Sequence, residues 1–129
     1  MIDPHEQFRG GLGGAFGPSD QAELFRNIAD TGVGEAVYVI ALPSVAAARA
    51  WKERNIGLLW IDGDHAYGGV HSDFVAWFPF LTAKAIVAFH DFESEGVRQT
   101  IREFTDQGKL PHLGTVEQMS SFQWRDNGM

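Results

Sequence analysis

Apolar positions along the chain alternate between two kinds of pattern. Leu24, Phe25 and Ile28 recur at helical spacing behind Ser19 and Asp20, either of which can cap a helix, and Gly32 or Gly34 ends it. Val37 to Ile40 is a short β-branched run that reads as a strand. Pro43 and Ser44 open the next element, with Ser44 as N-cap, and the Ala-rich stretch from Val45 to Trp51 reads as helix. Ile56 to Ile61 is apolar throughout, the signature of a strand buried on both faces. Val70, Phe74, Trp77 and Phe78 return to helical spacing, and Pro79 ends that helix. Ala85 to Phe89 is a second buried strand. A helix from about Gly96 to Gln107 follows, striped by Val97, Ile101 and Phe104; Gly114 to Ser120 and Phe122 to Arg125 then read as a terminal hairpin. The glycine cluster from Gly10 to Gly17 reads as a loop closed by a turn at Pro18.

Strands alternating with helices predict an α/β fold, and fully apolar strands predict a mostly parallel sheet with helices on both faces. In such sheets ligands bind beyond the carboxyl ends of the strands. A length of 129 residues predicts one domain, residues 1–129, large enough to bury a core unaided. With 44% hydrophobic and 21% charged residues the composition is that of a globular protein and not of a disordered one. A net charge of −7 argues against a nucleic-acid footprint. No apolar run reaches the roughly 18 residues of a membrane span. The absence of Cys removes disulfides and thiolate chemistry and makes a reducing cytoplasm the expected location.

Both apolar strands end in acid and imidazole. The first is followed by Asp62, Asp64 and His65, with Tyr67 close behind, and the second by His90, Asp91 and Glu93. Carboxylates and imidazoles converging at strand ends suit a divalent cation such as Mg²⁺ or Mn²⁺. Asp62 and Asp91 directly follow buried runs, where an idle carboxylate would be desolvated, so they are the first candidates. Asp64 reads instead as a helix cap or loop-former. His65 is a candidate general base, with a structural histidine as the competing reading. His5, His71 and His112 read as surface residues, and Trp51, Trp60, Trp77 and Phe89 as core. Tyr67 and Phe92 could pack on a ligand or on the core.

The segment Ile61-Asp62-Gly63-Asp64-His65-Ala66-Tyr67-Gly68-Gly69-Val70, followed by Asp73, Trp77 and then Ala88-Phe89-His90-Asp91-Phe92, resembles the class I S-adenosylmethionine-dependent methyltransferases. The closest likeness is to the group with an IDGDH-Y segment after strand four and HD after strand five. The resemblance runs over nearly the whole chain and implies a Rossmann-like methyltransferase sheet with a C-terminal antiparallel hairpin. It implies that Asp3 holds the cofactor's ribose hydroxyls, that Ser44 lies near its adenine end, and that Asp62 lies near the methyl-transfer centre. In metal-dependent members Asp62, His90 and Asp91 would bind the cation, and His65 would deprotonate the acceptor hydroxyl.

The pattern departs from the family at its start. The family's sheet opens with a strand and a glycine-rich turn that cradles the cofactor's methionine part. This sequence begins after that point, and the cluster from Gly10 to Gly14 follows Asp3 instead of preceding it. A truncated domain of this kind leaves the strand ending in Ile61 with an open edge, filled by Val37 to Ile40 or by a second subunit. Three functions follow: methyl transfer to a hydroxyl or similar nucleophile of a small molecule, an inactive remnant that self-associates through the sheet edge, or a metal-dependent hydrolase using the same residues.

Overall fold

The structure is a computed structural model that describes residues 1–9 and 14–126. The chain divides into two compact units, residues 1–50 and 51–129.

In the first unit β1 (Phe8–Arg9) pairs antiparallel with β2 (Ala15–Phe16). Residues Gly10 to Gly13, where the sequence predicts a glycine loop, lie outside the described residues. Helix α1 (Pro18–Thr31) begins one residue before the predicted cap. Gly17 is the N-cap, and its N–H donates to Asp20 Oδ2 at 2.5 Å. Gly32 ends the helix in the left-handed region (φ 70°), as a glycine past a helix end should. The strand predicted over Val37–Ile40 is not formed. Ile40 makes only a single parallel bridge, to Ile2, through Asp3 N–H to Ile40 O (3.1 Å) and Ile40 N–H to Met1 O (2.9 Å). A β-branched run carries strand propensity, but a ladder needs a partner of equal length. Helix α2 (Ser44–Ala50) closes the unit, with Ser44 as its first helical residue.

The second unit is built on a four-stranded sheet of order β3 (Ile56–Ile61), β4 (Leu81–His90), β6 (Met119–Gln123) and β5 (His112–Val116). Only β3 and β4 are parallel; β4–β6 and β6–β5 are antiparallel. The sheet is therefore mixed, not mostly parallel. Its hairpin turns at Glu117–Gln118, earlier than predicted, and Glu117 takes a positive φ of 50° with no glycine to mark it.

Helices α3 (Tyr67–Trp77) and α4 (Glu95–Asp106) both pack on one sheet face. Phe74 of α3 meets Phe89 of β4 (5.7 Å between rings) and Phe104 of α4 (4.7 Å). Ile61, Val70, Val87, Val97, Leu110 and Phe122 complete this core. Phe78 to Phe80 form a single 3₁₀ turn around Pro79. Trp77 and Phe89 are core as predicted, but Trp60 is not. Leu58 and Trp60, on the opposite face of β3, are 58% and 55% exposed, and Ile86 beside them on β4 is 42% exposed. The prediction that these strands are buried on both faces therefore fails for alternate residues, because both helices of this unit lie on one side. β3 is the edge strand, and Val37 to Ile40 takes no place in this sheet. No helix among the described residues is long and apolar enough to cross a membrane.

Candidate active site

The parallel pairing of β3 with β4 sets the site. Ile61 is level with Phe89, so the residues that follow, Asp62 and His90, lie side by side at the strand ends. Asp62 Oδ1 lies 3.2 Å from His90 Nδ1. Successive side chains on a strand point to opposite faces, so His90 and Asp91 could not share a site on an extended backbone. Asp91 takes a left-handed conformation (φ 49°), which an aspartate tolerates better than most residues. That turn brings Asp91 Oδ2 to 3.1 Å from His90 Nδ1 and 3.0 Å from His65 Nε2.

His65 arrives from the β3–α3 loop. Asp64 Oδ1 accepts the Ala66 N–H at 3.0 Å, a local turn that directs the chain into α3. Asp64 is thus a loop-former, as predicted. Gly96, in the first turn of α4, lets that helix approach the same loop. A β-carbon at 96 would collide with His65 O and Tyr67 N, both backbone atoms. From the sequence Gly96 only opens a helix; a glycine in the first turn of a helix is the available signal for this close approach.

Asp62, His65 and Asp91 each offer one ligand atom, all within 4.8 Å of one another. His90 Nδ1 is buried and faces both carboxylates, yet neither contact has hydrogen-bond alignment. Asp62 is half exposed and Asp91 is mostly covered, so the cluster opens to solvent on the Asp62 side. Four of the predicted site residues therefore come together: Asp62, His65, His90 and Asp91. Asp3 and Ser44 belong to the first unit. Asp3 follows the bridge at Ile2, its carboxylate 55% exposed, and Ser44 starts α2.

A second polar group lies on the outer surface of α3 and α4. Tyr67 OH donates to Glu103 Oε2 (2.8 Å), and His71 Nε2 lies 3.4 Å from Glu103 Oε1. The Tyr67 and His71 rings are 5.2 Å apart. The hydrogen bond from Tyr67 holds the Glu103 carboxyl below its usual range, helped by the nearby His71, with partial desolvation opposing. The same bond, then desolvation and the Glu103 charge, raise the Tyr67 phenol above its ordinary 10.0. His71, read from the sequence as a surface residue, is partly exposed and takes part in this group; its position four residues after Tyr67 is the signal for that. The same reading of His5 is corrected: its side chain is only 7% exposed.

The chain is an α/β domain, with carboxylates and imidazoles gathered at the carboxyl ends of two adjacent parallel strands. A family model described as a methyltransferase domain matches residues 1–92, and the chain belongs to that family. A stretch of 42 residues is 40% identical to an uncharacterized protein of Sinorhizobium fredii; the match takes in 33% of this chain and 5% of that protein's length. Among solved structures, the apo form of the TDP-rhamnose 3′-O-methyltransferase CalS11 of calicheamicin biosynthesis superposes with a TM-score of 0.54 at 19% identity. The superposition covers 68% of this chain and 42% of that one, and it speaks for the fold.

Proposed function

We propose that the chain carries S-adenosylmethionine-dependent methyl transfer to a hydroxyl or similar nucleophile of a small molecule, assisted by a divalent cation. The observation that carries the reading is the buried His90 Nδ1, which faces two carboxylate oxygens at 3.1 and 3.2 Å with no aligned proton between them. Octahedral Mg²⁺ with ligands at ~2.1 Å holds neighbouring donors about 3 Å apart, so this donor set fits such a cation. Asp62, His90 and Asp91 would hold it, with Asp62 next to the cofactor's methyl end; within the first unit, Asp3 and Ser44 are the residues proposed for the cofactor's ribose and adenine end. When bound, the cofactor supplies an electrophilic methyl group and the cation lowers the pKa of an acceptor hydroxyl.

The chain's own residues supply the rest. Asp91 Oδ2 orients His65 through Nε2, which leaves Nδ1 as the nitrogen that takes the acceptor's proton. Asp62, the most open member of the cluster, borders the point where acceptor and methyl would meet. Soluble, cytoplasmic action on a small molecule accords with the acidic, cysteine-free composition.

Calorimetric titration of the purified chain with S-adenosylhomocysteine, with excess Mg²⁺ and again with chelator, tests this. Micromolar binding that tightens with Mg²⁺ is expected and should be lost in Asp91→Asn. Binding indifferent to metal would remove the cation from the reading; no binding in either buffer would remove the cofactor. A second reading, self-association, is favoured by the open edge of β3 with Leu58 and Trp60 exposed. Sedimentation velocity on the chain and on Trp60→Lys decides it: a dimer that the substitution dissociates supports it, and a monomer at all concentrations ends it.

A further inference from the structure

The turn from Asp3 to His5 is built in a way that its sequence does not announce. Asp3 is held by its backbone, with its N–H on Ile40 O at 3.1 Å. Pro4 fixes its own φ and keeps Asp3 extended. His5 then adopts φ 52°, in the left-handed region that few residues with side chains occupy, histidine, asparagine and aspartate more readily than the rest. Its N–H donates to Asp3 Oδ1 at 2.7 Å. Its side chain is only 7% exposed, with Nδ1 buried 4.0 Å from the same carboxylate oxygen and without a hydrogen-bond partner. Asp3 itself remains 55% exposed, and nothing among the described residues donates to its Oδ2. One oxygen of the carboxylate is thus pinned by backbone, while the side chain as a whole stays half exposed.

The backbone hydrogen bond alone would not call for histidine. Glycine would give the same N–H at the same φ without strain, and asparagine would tolerate it. A desolvated imidazole nitrogen in a strained turn is unfavourable on both counts, and strain of this kind gathers where a neighbouring group must be fixed.

We propose that His5 is a positioning residue for Asp3. Its buried ring props the turn so that Asp3 presents Oδ2, and the remaining lone pair of Oδ1, to two adjacent hydroxyls. The ligand this fits is the cis-diol of a ribose, which offers two O–H donors to a carboxylate whose backbone partner is already in place. The inference rests on the reading of Asp3 as the ribose-holding acid and goes beyond it in assigning the turn's geometry to His5.

The test is the ratio of affinities for S-adenosylhomocysteine and its 2′-deoxy counterpart, measured by calorimetry on the whole chain. The wild type should prefer the ribose form by ~10-fold, the scale of one charge-assisted hydrogen bond. His5→Gly keeps the N–H and relieves the strain, so a purely structural histidine would leave the ratio unchanged. Under the proposal the preference falls to about threefold or less, the same order as one weakened hydrogen bond, while thermal stability holds. An unchanged ratio in His5→Gly overturns the role of His5 alone. An unchanged ratio in Asp3→Asn, or no binding by the wild type, overturns the assignment of Asp3 on which it rests.

Discussion

Residues 51–129 and residues 1–50 reach order by different means. In the second unit Phe74, Phe89, Leu81, Leu110, Val70 and Val87 are almost completely buried, and aromatic rings from two helices and two strands meet edge to face. In the first, the described apolar residues that count as buried are Ala47 and Ala48, while Phe25, Tyr38 and Leu42 stay largely exposed. Helix α1 has no buried residue, yet its ends are sharply set by the Gly17 N–H on Asp20 and by Gly32 in the left-handed region. Capping chemistry is local and defines an element whether or not it is buried. Strand pairing is not local, and in the first unit Val37 to Ile40 has the right residues but only one bridge.

The sharpest way to break this contrast is a pair of phenylalanine truncations. Phe74→Ala should cost about 3–5 kcal/mol, because a fully buried ring leaves a cavity among its neighbours. Phe25→Ala should stay within about 0.5 kcal/mol, as expected for a half-exposed side chain. Urea denaturation of both variants decides it, and comparable losses would mean that the first unit has a core of its own. Gly96→Ala comes next. The new β-carbon meets backbone that cannot rotate away, so about 3 kcal/mol should be lost and His65 displaced, seen as a shifted imidazole resonance. Wild-type stability would show that the β3–α3 loop yields freely.

Gly32→Ala should cost about 1 kcal/mol, the penalty for a β-carbon in the left-handed region, read as a small fall in melting temperature. The finest test uses pH. Glu103 is held below its ordinary 4.5, so its contribution is complete above that value and is lost as pH falls through the lower folded value. Tyr67 is raised above 10.0, so its contribution is complete below that value and lost as pH rises through the higher one. Tyr67→Phe removes both, and its melting temperature should converge on the wild type's in acid. A gap that stays constant as pH falls would show that the pair contributes nothing through ionisation.

The helices and the two parallel strands were legible because periodicity, glycine and proline are written locally. Ile56 to Ile61 was found to the residue. Its burial was misjudged, since an apolar run says nothing of whether one face or two will be covered, and Leu58 and Trp60 face outward. The hairpin turn was misplaced because Glu117 adopts a turn conformation that its residue type does not advertise. The two strand ends single out Asp62, His65, His90 and Asp91 in the sequence, and the structure brings these side chains together. Their convergence could not be read, because it depends on the left-handed turn at Asp91 and on the close approach that Gly96 permits. The buried ring of His5 left no trace in the sequence beyond a histidine after a proline.

The irregular pairing of β4 separates two jobs along one strand. Ile56 is level with Leu81 and Leu58 with Ile86, so two steps along β3 correspond to five along β4, with Lys84 in the left-handed region (φ 64°) between them. Beyond that point the ladder runs without interruption to Ile61 and Phe89. The slack is taken up before the count to His90 begins. Insertions or deletions among relatives should therefore collect around residues 82–84, where chain length can drift while the distance from Ile86 to His90 stays constant.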